Sequence, residues 1–397
     1  MLKKVLSVAV LLLVSVFSLC LAGCNNEVED EEGFLVVGGM GPLTGPASVY
    51  GIAVYNSAKL AVEEVNANGG LANGLKLKLE FLDDAHDATK VQNNYYDLLE
   101  NKGMQVSLGC VTTKPCLEFK NYSKQDNVFF ITPSASNDDV PAEKNGFQMC
   151  FADGKQGAYA ATYVNDNYRG QKIGVFYKAD DDYSKGIFDL FKDSVDPTVE
   201  LEVTSFTGDG TDFSTQINTL KDAGVKFVFM PIYYTPASLF MKQAKDASAF
   251  SNDTVFFGCD GFDGIESMEG FSLSDIPQEV SMLSHFDSSA TTGAAATYIA
   301  NYKAKYGAET LNQFGASAYD CIYALVKALN EIEAEKPGTV TKDAKAADLG
   351  TLLEAKFTSS SFTFTGVTGG EKPMTWDASG TVNKSAIKYT LKAADTE

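Results

Sequence analysis

The chain has 397 residues and is acidic, with 52 aspartates and glutamates against 32 lysines and arginines and a formal charge of −20. Hydrophobic residues make up 45% and charged residues 21%, which is typical of a globular protein and excludes a disordered chain or a polytopic membrane protein. The negative charge also argues against binding to nucleic acid, because phosphate recognition needs clustered lysine and arginine, and Arg169 is the only arginine.

The N-terminal segment has the arrangement of an export signal. A start with two lysines precedes an apolar run over 5–19, and the segment closes on Leu21-Ala22-Gly23-Cys24. Because the run is short for a spanning helix, we expect a signal peptide; an uncleaved membrane anchor is the alternative. Leu-Ala-Gly-Cys is similar to a bacterial lipobox, which implies that residues 1–23 are removed and that Cys24 carries a lipid.

Export defines the mature chain and narrows its function. Loss of 1–23 removes two lysines and no acid, so the formal charge changes from −20 to −22 over the remaining 374 residues. Half of residues 24–33 are acidic, and this segment predicts a solvated tether. Because an exported protein acts outside the cytoplasm, the class of cytosolic enzymes is excluded. Five cysteines follow Cys24 without zinc-type spacing; Cys110 and Cys116 could pair, although small buried thiols are the simpler interpretation.

Beyond the tether, apolar runs of strand length alternate with segments of helical spacing. This alternation predicts doubly wound parallel sheets, and its occurrence in two series predicts two α/β lobes. The predicted strands are 34–38, 75–82, 106–109, 128–132, 172–177, 200–206, 227–231, 255–258 and 386–391, and the predicted helices are 50–68, 92–101, 158–167, 185–195, 213–223, 238–247, 293–306 and 316–335.

Two motifs suggest chemistry that the rest of the sequence does not support. The glycine-rich segment 39–45 follows a strand, but Pro42 removes a donor that a phosphate loop needs, which argues against a nucleotide site. The acidic segment 83–87, which includes His86, could hold a cation or an acid–base pair, but carboxylates that cap a helix start are the favoured interpretation. His285 is isolated and no Gly-x-Ser-x-Gly elbow occurs, so we predict no catalytic residues, no metal and no cofactor.

Hydroxyl, aromatic and acidic residues follow the predicted strands at their carboxyl ends. Taken singly, each is more consistent with an ordinary loop residue. Open parallel sheets bind ligands at that edge, however, so five such strand ends in two lobes predict a ligand site. The candidates are Thr112, Thr113, Ser134, Ala135 and Ser136 in the first series, and Tyr183, Tyr233 and Asp260 in the second.

Short motifs along nearly the whole mature chain carry a family resemblance. They are 41–51 (GPLTGPASVYG), 63–70 (EEVNANGG), 83–84 (DD), 131–136 (ITPSAS), 153–157 (DGKQG), 182–186 (DYSKG), 211–214 (TDFS), 257–261 (FGCDG), 319–320 (YD) and 376–380 (WDASG). In this order and spacing the chain resembles the branched-chain amino-acid (Leu/Ile/Val) binding family, which are extracytoplasmic solute-binding proteins of ABC transporters.

The resemblance implies a type I periplasmic binding protein fold, in which two lobes joined by a three-strand hinge close on a ligand. On this basis we expect one lobe at 34–153 plus 285–384, and the other at 154–284 plus 385–397. The family's ligand-binding roles carry over to matching positions. The resemblance implies Thr113, Ser134, Ser136 and the backbone of Ala135 for the ligand carboxylate, Asp260 for its ammonium, Tyr183 and Tyr233 for closure over it, and Tyr50 and Phe314 for the side-chain pocket.

The charges fit a zwitterion independently of the family. A carboxylate buried by closure needs a cation, and a ligand carboxylate can be held by hydroxyl and amide donors without arginine. The resemblance, together with these charges and the export signal, implies a monomeric, lipid-anchored binding protein outside the cytoplasm, which delivers a neutral amino acid, branched-chain or similar, to an ABC permease. The alternatives are a non-amino-acid solute, such as an aromatic acid, amide or urea-like compound, and a ligand sensor for a signalling partner.

Overall fold

The computed structural model of the protein describes residues 33–141 and 144–395. The predicted signal peptide, Cys24 and the tether up to residue 32 lie outside the described residues. No helix within the described range is long and apolar enough to cross a membrane.

Eleven strands of the described chain form two mainly parallel sheets. They are β1 (Phe34–Gly41), β2 (Lys76–Asp83), β3 (Val106–Ser107), β4 (Phe130–Thr132), β5 (Gly146–Gln148), β6 (Lys172–Lys178), β7 (Glu200–Phe206), β8 (Phe227–Met230), β9 (Val255–Gly258), β10 (Glu279–Ser284) and β11 (Ile387–Lys392). The first sheet has the order β2-β1-β3-β4-β5 and the second β11-β10-β9-β8-β6-β7. In the second sheet β11 runs antiparallel to β10, and the other neighbours are parallel.

Ten α-helices of the described chain connect and cover these strands. They are α1 (Ser48–Ala67), α2 (Val91–Tyr96), α3 (Thr113–Asp126), α4 (Asp153–Asn167), α5 (Asp182–Ser194), α6 (Ser214–Asp222), α7 (Tyr234–Asp246), α8 (Gly293–Tyr306), α9 (Gln313–Glu335) and α10 (Ala346–Phe357). The alternation of strands and helices in two sheets confirms the predicted α/β class with two lobes.

Burial on both faces explains the apolar strand sequences. Every residue of β4 (FIT) and β8 (FVFM) is buried, as expected for parallel strands covered by helices on both sides. On one side of the first sheet, α1 packs along α9, and in the second lobe α4 packs along α5. Asn312 caps α9 by accepting hydrogen bonds from the amides of Phe314 and Gly315.

The chain passes between the two sheets three times. It leaves the first sheet after β5 and continues with α4, it returns after β10, and it crosses again before β11. The carboxyl ends of β3, β4, β8 and β9 meet between the sheets, where the residues that follow them line a common cavity.

Several elements differ from the prediction because their periodicity is weak or their length is short. β5, α3, β10 and α10 were not predicted from the sequence. β5 has only three residues, and α3 buries few apolar side chains, among them Cys116 and Phe119. The predicted helix at 92–101 is divided between α2 and a π-helical turn over Asp97–Asn101.

Candidate functional site

Nine of the ten predicted site residues line one cavity between the lobes, which we call the inner cavity. The space between its atoms is about 220 Å³, but the centre of a water molecule can occupy only about 10 Å³ of it. That is room for about one water molecule, so a solute enters only if the walls move apart. The predicted residues that line it are Tyr50, Thr112, Thr113, Ser134, Ser136, Tyr183, Tyr233, Asp260 and Phe314; Val111 and Gly261 complete it.

The turn after β3 places Thr112 and Thr113 at the cavity. Gly109 has a φ of +63°, a conformation that glycine adopts without strain. Thr112 is the N-cap residue of α3, and its hydroxyl bonds His86 Nδ1 at 2.9 Å instead of capping the helix. Thr113 is the first helical residue, so the positive end of the α3 dipole points towards this part of the cavity.

The turn after β4 orients Ser134 and Ser136. Thr132 Oγ1 accepts hydrogen bonds from the amides of Ala135 (3.0 Å) and Ser134 (3.3 Å) and donates to the carbonyl of Cys110 (2.9 Å). The carbonyl of Ala135 accepts from Gln148 Nε2 at 3.0 Å. Both backbone groups of Ala135 are therefore bonded within the protein, and Ala135 is the one predicted residue that does not line the inner cavity.

Asp260 is buried directly after β9. Its Oδ1 accepts a hydrogen bond of 2.7 Å from the Tyr183 hydroxyl, which in turn accepts from the Gly261 amide at 2.9 Å. Its Oδ2 has no hydrogen-bond partner among the described residues. Burial raises the pKa of the Asp260 carboxyl to about 7, and the hydrogen bond from Tyr183 opposes that rise. The carboxylate is thus a buried acceptor that lacks a cation.

A group of aromatic rings forms the remaining wall. Tyr183 and Tyr233 stack with their centroids 4.6 Å apart and their planes 9° from parallel. The ring of Tyr50 meets that of Phe314 edge-on at a centroid distance of 4.9 Å, and it lies tilted against the ring of Tyr233 at 5.8 Å. The Tyr50 hydroxyl donates to the carbonyl of Gly261 at 2.6 Å. Because Tyr50 lies in α1 and Gly261 follows β9, this hydrogen bond joins the two lobes.

Two residues behind Asp260 carry interactions that sequence reasoning did not assign. Gln156 Oε1 accepts from the amide of Asp260 at 3.0 Å, and Gln156 Nε2 donates to Asp153 Oδ1 at 3.3 Å. Asp153 Oδ2 has no hydrogen-bond partner in the described chain. Burial, and then the nearby Asp260, raises the pKa of Asp153 well above its ordinary value. Their sequence signal was the motif at 153–157, to which no role was attached.

The acidic segment 83–87 is a capped loop, as predicted. Asp83 Oδ1 accepts from the amides of Leu43 and Ala85, both at 2.8 Å, and Asp87 caps a 3-10 turn at Ala88–Lys90. Among the described residues no cluster of histidine, cysteine and acidic side chains could hold a metal.

Cys110 and Cys116, whose pairing the sequence left open, are not bonded to each other. Cys110, Cys116, Cys150, Cys259 and Cys321 are all buried and free. Arg169 pairs with Asp196 on the surface at 3.1 Å, and no lysine or arginine is among the residues that line the inner cavity.

The sequence matches one protein family over most of its length. The model of a family described as periplasmic binding protein matches residues 35–369. The Leu/Ile/Val-binding protein BraC3 of Rhizobium johnstonii is 28% identical over 319 residues, or 78% of this chain and 84% of that protein. The Leu/Ile/Val-binding protein homolog 3 of Brucella melitensis is 31% identical over 217 residues, a match that spans 54% of this chain and only 58% of that protein.

Solved structures are similar in fold at lower identity. The leucine-binding protein LivK of Thermotoga maritima has a TM-score of 0.76 at 21% identity, with 90% of this chain and 95% of that chain covered. LivJ of Streptococcus pneumoniae, in complex with isoleucine, has a TM-score of 0.75 at 21% identity, with 91% and 96% covered. A solute-binding protein of R. palustris in complex with benzoate has 0.75 at 17%, with 91% and 94% covered. These structures share the fold of two parallel-sheet lobes.

Proposed function

Because the chain belongs to the periplasmic binding protein family, we propose that it is the amino-acid-binding component of an ABC importer. It binds one zwitterionic amino acid in the inner cavity and delivers it to the permease. Capture and release of a solute is a binding role, and we propose no catalytic step. The observation that carries this proposal is the unpartnered Oδ2 of the buried Asp260.

Asp260 supplies the cation-binding end of the site. A buried carboxylate without a partner is costly, and a ligand ammonium offsets that cost by ion pairing and hydrogen bonding. Tyr183 holds Oδ1 and Gln156 holds the amide of Asp260, so Oδ2 keeps its orientation when the ligand is absent. A solute without a cation leaves this oxygen unpaired, which selects for amines.

Hydroxyl groups and the N-terminus of α3 supply the anion-binding end. Thr113, Ser134 and Ser136 line the inner cavity with Asp260, and α3 begins at Thr113. Hydroxyl donors and a helix N-terminus stabilise a carboxylate without a basic side chain. Ala135 supports this end from behind, because its amide and carbonyl are already hydrogen-bonded within the protein.

The ligand side chain and the location of the protein are proposed as follows. The aromatic walls formed by Tyr50, Tyr233 and Phe314 favour a neutral, apolar side chain, and the names of the relatives agree with a branched-chain or similar amino acid. We place the lobes at 34–153 plus 285–384 and 154–284 plus 385–397. The protein works as a monomer outside the cytoplasm, anchored through a lipid on Cys24.

Isothermal titration calorimetry with the standard amino acids as ligands tests the proposal. The full chain, solubilised in detergent and freed of co-purified solute, is expected to bind at least one neutral amino acid. Asp260→Ala should weaken that binding at least about thirtyfold, because loss of a buried charge partner costs about 2–5 kcal/mol. Asp222→Ala is the matched control, since this exposed aspartate ends α6 far from the cavity.

A solute without an ammonium is the second candidate, favoured by the likeness to a benzoate-bound structure. In that case no amino acid binds, benzoate or an amide does, and Asp260→Ala leaves binding unchanged or stronger. That result would contradict an amino-acid site.

A further inference from the structure

A second cavity lies on the far side of Tyr233, at the mouth of the cleft. It offers about 250 Å³ to the centre of a water-sized sphere, against about 10 Å³ in the inner cavity. We call it the outer chamber and define it by Pro46, His86, Phe206, Tyr233, Pro236 and Leu239. Pro46 and His86 come from the first lobe and the other four from the second, so the outer chamber forms only when the lobes are together.

Tyr233 and His86 separate the two cavities. Tyr233 lines both, and its ring meets that of His86 edge-on at a centroid distance of 5.6 Å. His86 is held in place by Thr112, which lines the inner cavity. Burial lowers the pKa of His86 to about 4, so this ring is neutral at physiological pH. The partition between the two cavities is therefore uncharged.

The opposite wall of the inner cavity is locked. The Tyr50 hydroxyl donates to the carbonyl of Gly261 at 2.6 Å and accepts from the amide of Tyr234 at 3.3 Å. Its ring packs against Phe314 and Tyr234 at 4.9 and 5.0 Å. Displacing Tyr50 breaks buried hydrogen bonds, which is costly. The Tyr233 hydroxyl makes no hydrogen bond to the described residues, so moving Tyr233 disrupts ring contacts with Tyr183 and His86 but breaks no buried hydrogen bond of its side chain.

We propose that the side chain of the bound amino acid passes Tyr233 into the outer chamber, and that the protein selects large apolar side chains, aromatic ones included. This inference rests on the proposed function and names the ligand class of the same site. The lining is mainly apolar, and its charged members, Lys178 and Asp209, cancel in net charge. A neutral side chain longer than that of valine fills this space and displaces water from apolar surface.

The test fills the outer chamber without touching the charged end of the site. Leu239 lies half-buried in α7, and Leu239→Trp adds an indole to the chamber. Leu352→Trp is the matched control, because Leu352 is a half-buried leucine of α10 outside both cavities. Calorimetry then compares phenylalanine and norleucine with alanine and valine on the full chain. Norleucine and phenylalanine are expected to bind at least tenfold more tightly than alanine to the unaltered protein.

In Leu239→Trp that tenfold preference should disappear while the alanine affinity stays within threefold, and Leu352→Trp should behave like the unaltered protein. Leu239→Ala is the second variant if Leu239→Trp fails to fold, and it should shift the preference towards longer side chains such as homophenylalanine. The inference is overturned if alanine and valine bind as tightly as phenylalanine and norleucine, or if the Leu239 variants leave the ratio unchanged. If no amino acid binds and Asp260→Ala has no effect, the proposed function itself has failed.

Discussion

Replacing Asp260 with asparagine should stabilise the unliganded protein at alkaline pH while it removes amino-acid binding. Asp260 is fully buried, and its Oδ2 has no partner in the described chain. In the proposed site, ligand recognition needs this charge, whereas folding does not. The substitution keeps the size of the side chain and an oxygen that can accept from Tyr183, so the change in stability reports mainly the charge.

The size of the expected stability change follows from the pKa of Asp260. Burial raises the pKa of Asp260 from 3.8 to about 7. A rise of about three units, at about 1.4 kcal/mol each, makes the ionised form cost about 4 kcal/mol in the folded state. A raised carboxyl pKa contributes stability that is fully present below about pH 4 and is lost as the pH rises through about 7. About half of this change, roughly 2 kcal/mol, falls between pH 5.5 and 8.5.

The two proteins are compared by urea unfolding at pH 5.5, 7.0 and 8.5 after removal of bound solute. At pH 8.5, Asp260→Asn should be more stable than the unaltered protein, by up to about 4 kcal/mol less about 1–3 kcal/mol for the unpaired amide. The difference should fall by about 2 kcal/mol at pH 5.5, because Asp260 is then protonated in the folded protein. Asp84, whose pKa does not depend on Asp260, titrates in both proteins and cancels in the comparison. Asp153 does not cancel, because Asp260→Asn removes a neighbouring negative charge and so lowers the pKa of Asp153.

Asp222→Asn is the control, because it removes an exposed carboxylate of α6 and should leave the pH dependence unchanged. A stability difference between Asp260→Asn and the unaltered protein that does not vary with pH would refute the reasoning. Lower stability of Asp260→Asn at pH 8.5 would refute it as well, since a cation within the protein would then have to compensate Asp260.

Two further predictions concern the hinge and the N-terminus. Lys384 is buried before β11, donates to Thr368 Oγ1 at 2.6 Å and faces Asp320. Lys384→Met should lower the free energy of unfolding in urea by about 3 kcal/mol, because it leaves Asp320 without its buried cation. The control Lys221→Met replaces an exposed lysine and should have no effect. Cys24→Ser should move the protein from the membrane fraction to the soluble fraction and abolish labelling with radioactive palmitate; retention in the membrane would contradict a lipid anchor at Cys24.

The strand ends made most of the site predictable from the sequence. Tyr233 and Asp260 each follow an apolar run of four residues, β8 and β9, whose length and β-branched and aromatic content favour a buried strand. Parallel strands end at one edge of a sheet, so residues after them converge whatever the rest of the fold. Tyr50 and Phe314 lie in helices and follow no such rule, and only the family resemblance pointed to them.

The support behind Asp260 was not predictable, because it depends on contacts between distant segments. Gln156 and Asp260 are 104 residues apart, and nothing in the spacing indicates that the amide of Asp260 is bonded to Gln156. The same holds for the outer chamber, where the segment at Phe206 meets Pro46 of the other lobe. The hydrogen bonding of the Ala135 backbone was hidden for a related reason, since it depends on the Thr132 hydroxyl, which accepts a hydrogen bond from the Ala135 amide within the turn.

The single arginine has a consequence for which end of the ligand controls binding. Arg169 is paired with Asp196 on the surface, and in the proposed site the ligand carboxylate would meet only hydroxyl groups and the partial charge of a helix N-terminus. These donors satisfy an anion as well as water does, and their net gain is modest. At the other end, a buried carboxylate stays unpaired until an ammonium arrives, which makes the ammonium the larger source of affinity. Amines without a carboxylate should therefore retain more affinity than carboxylates without an amine.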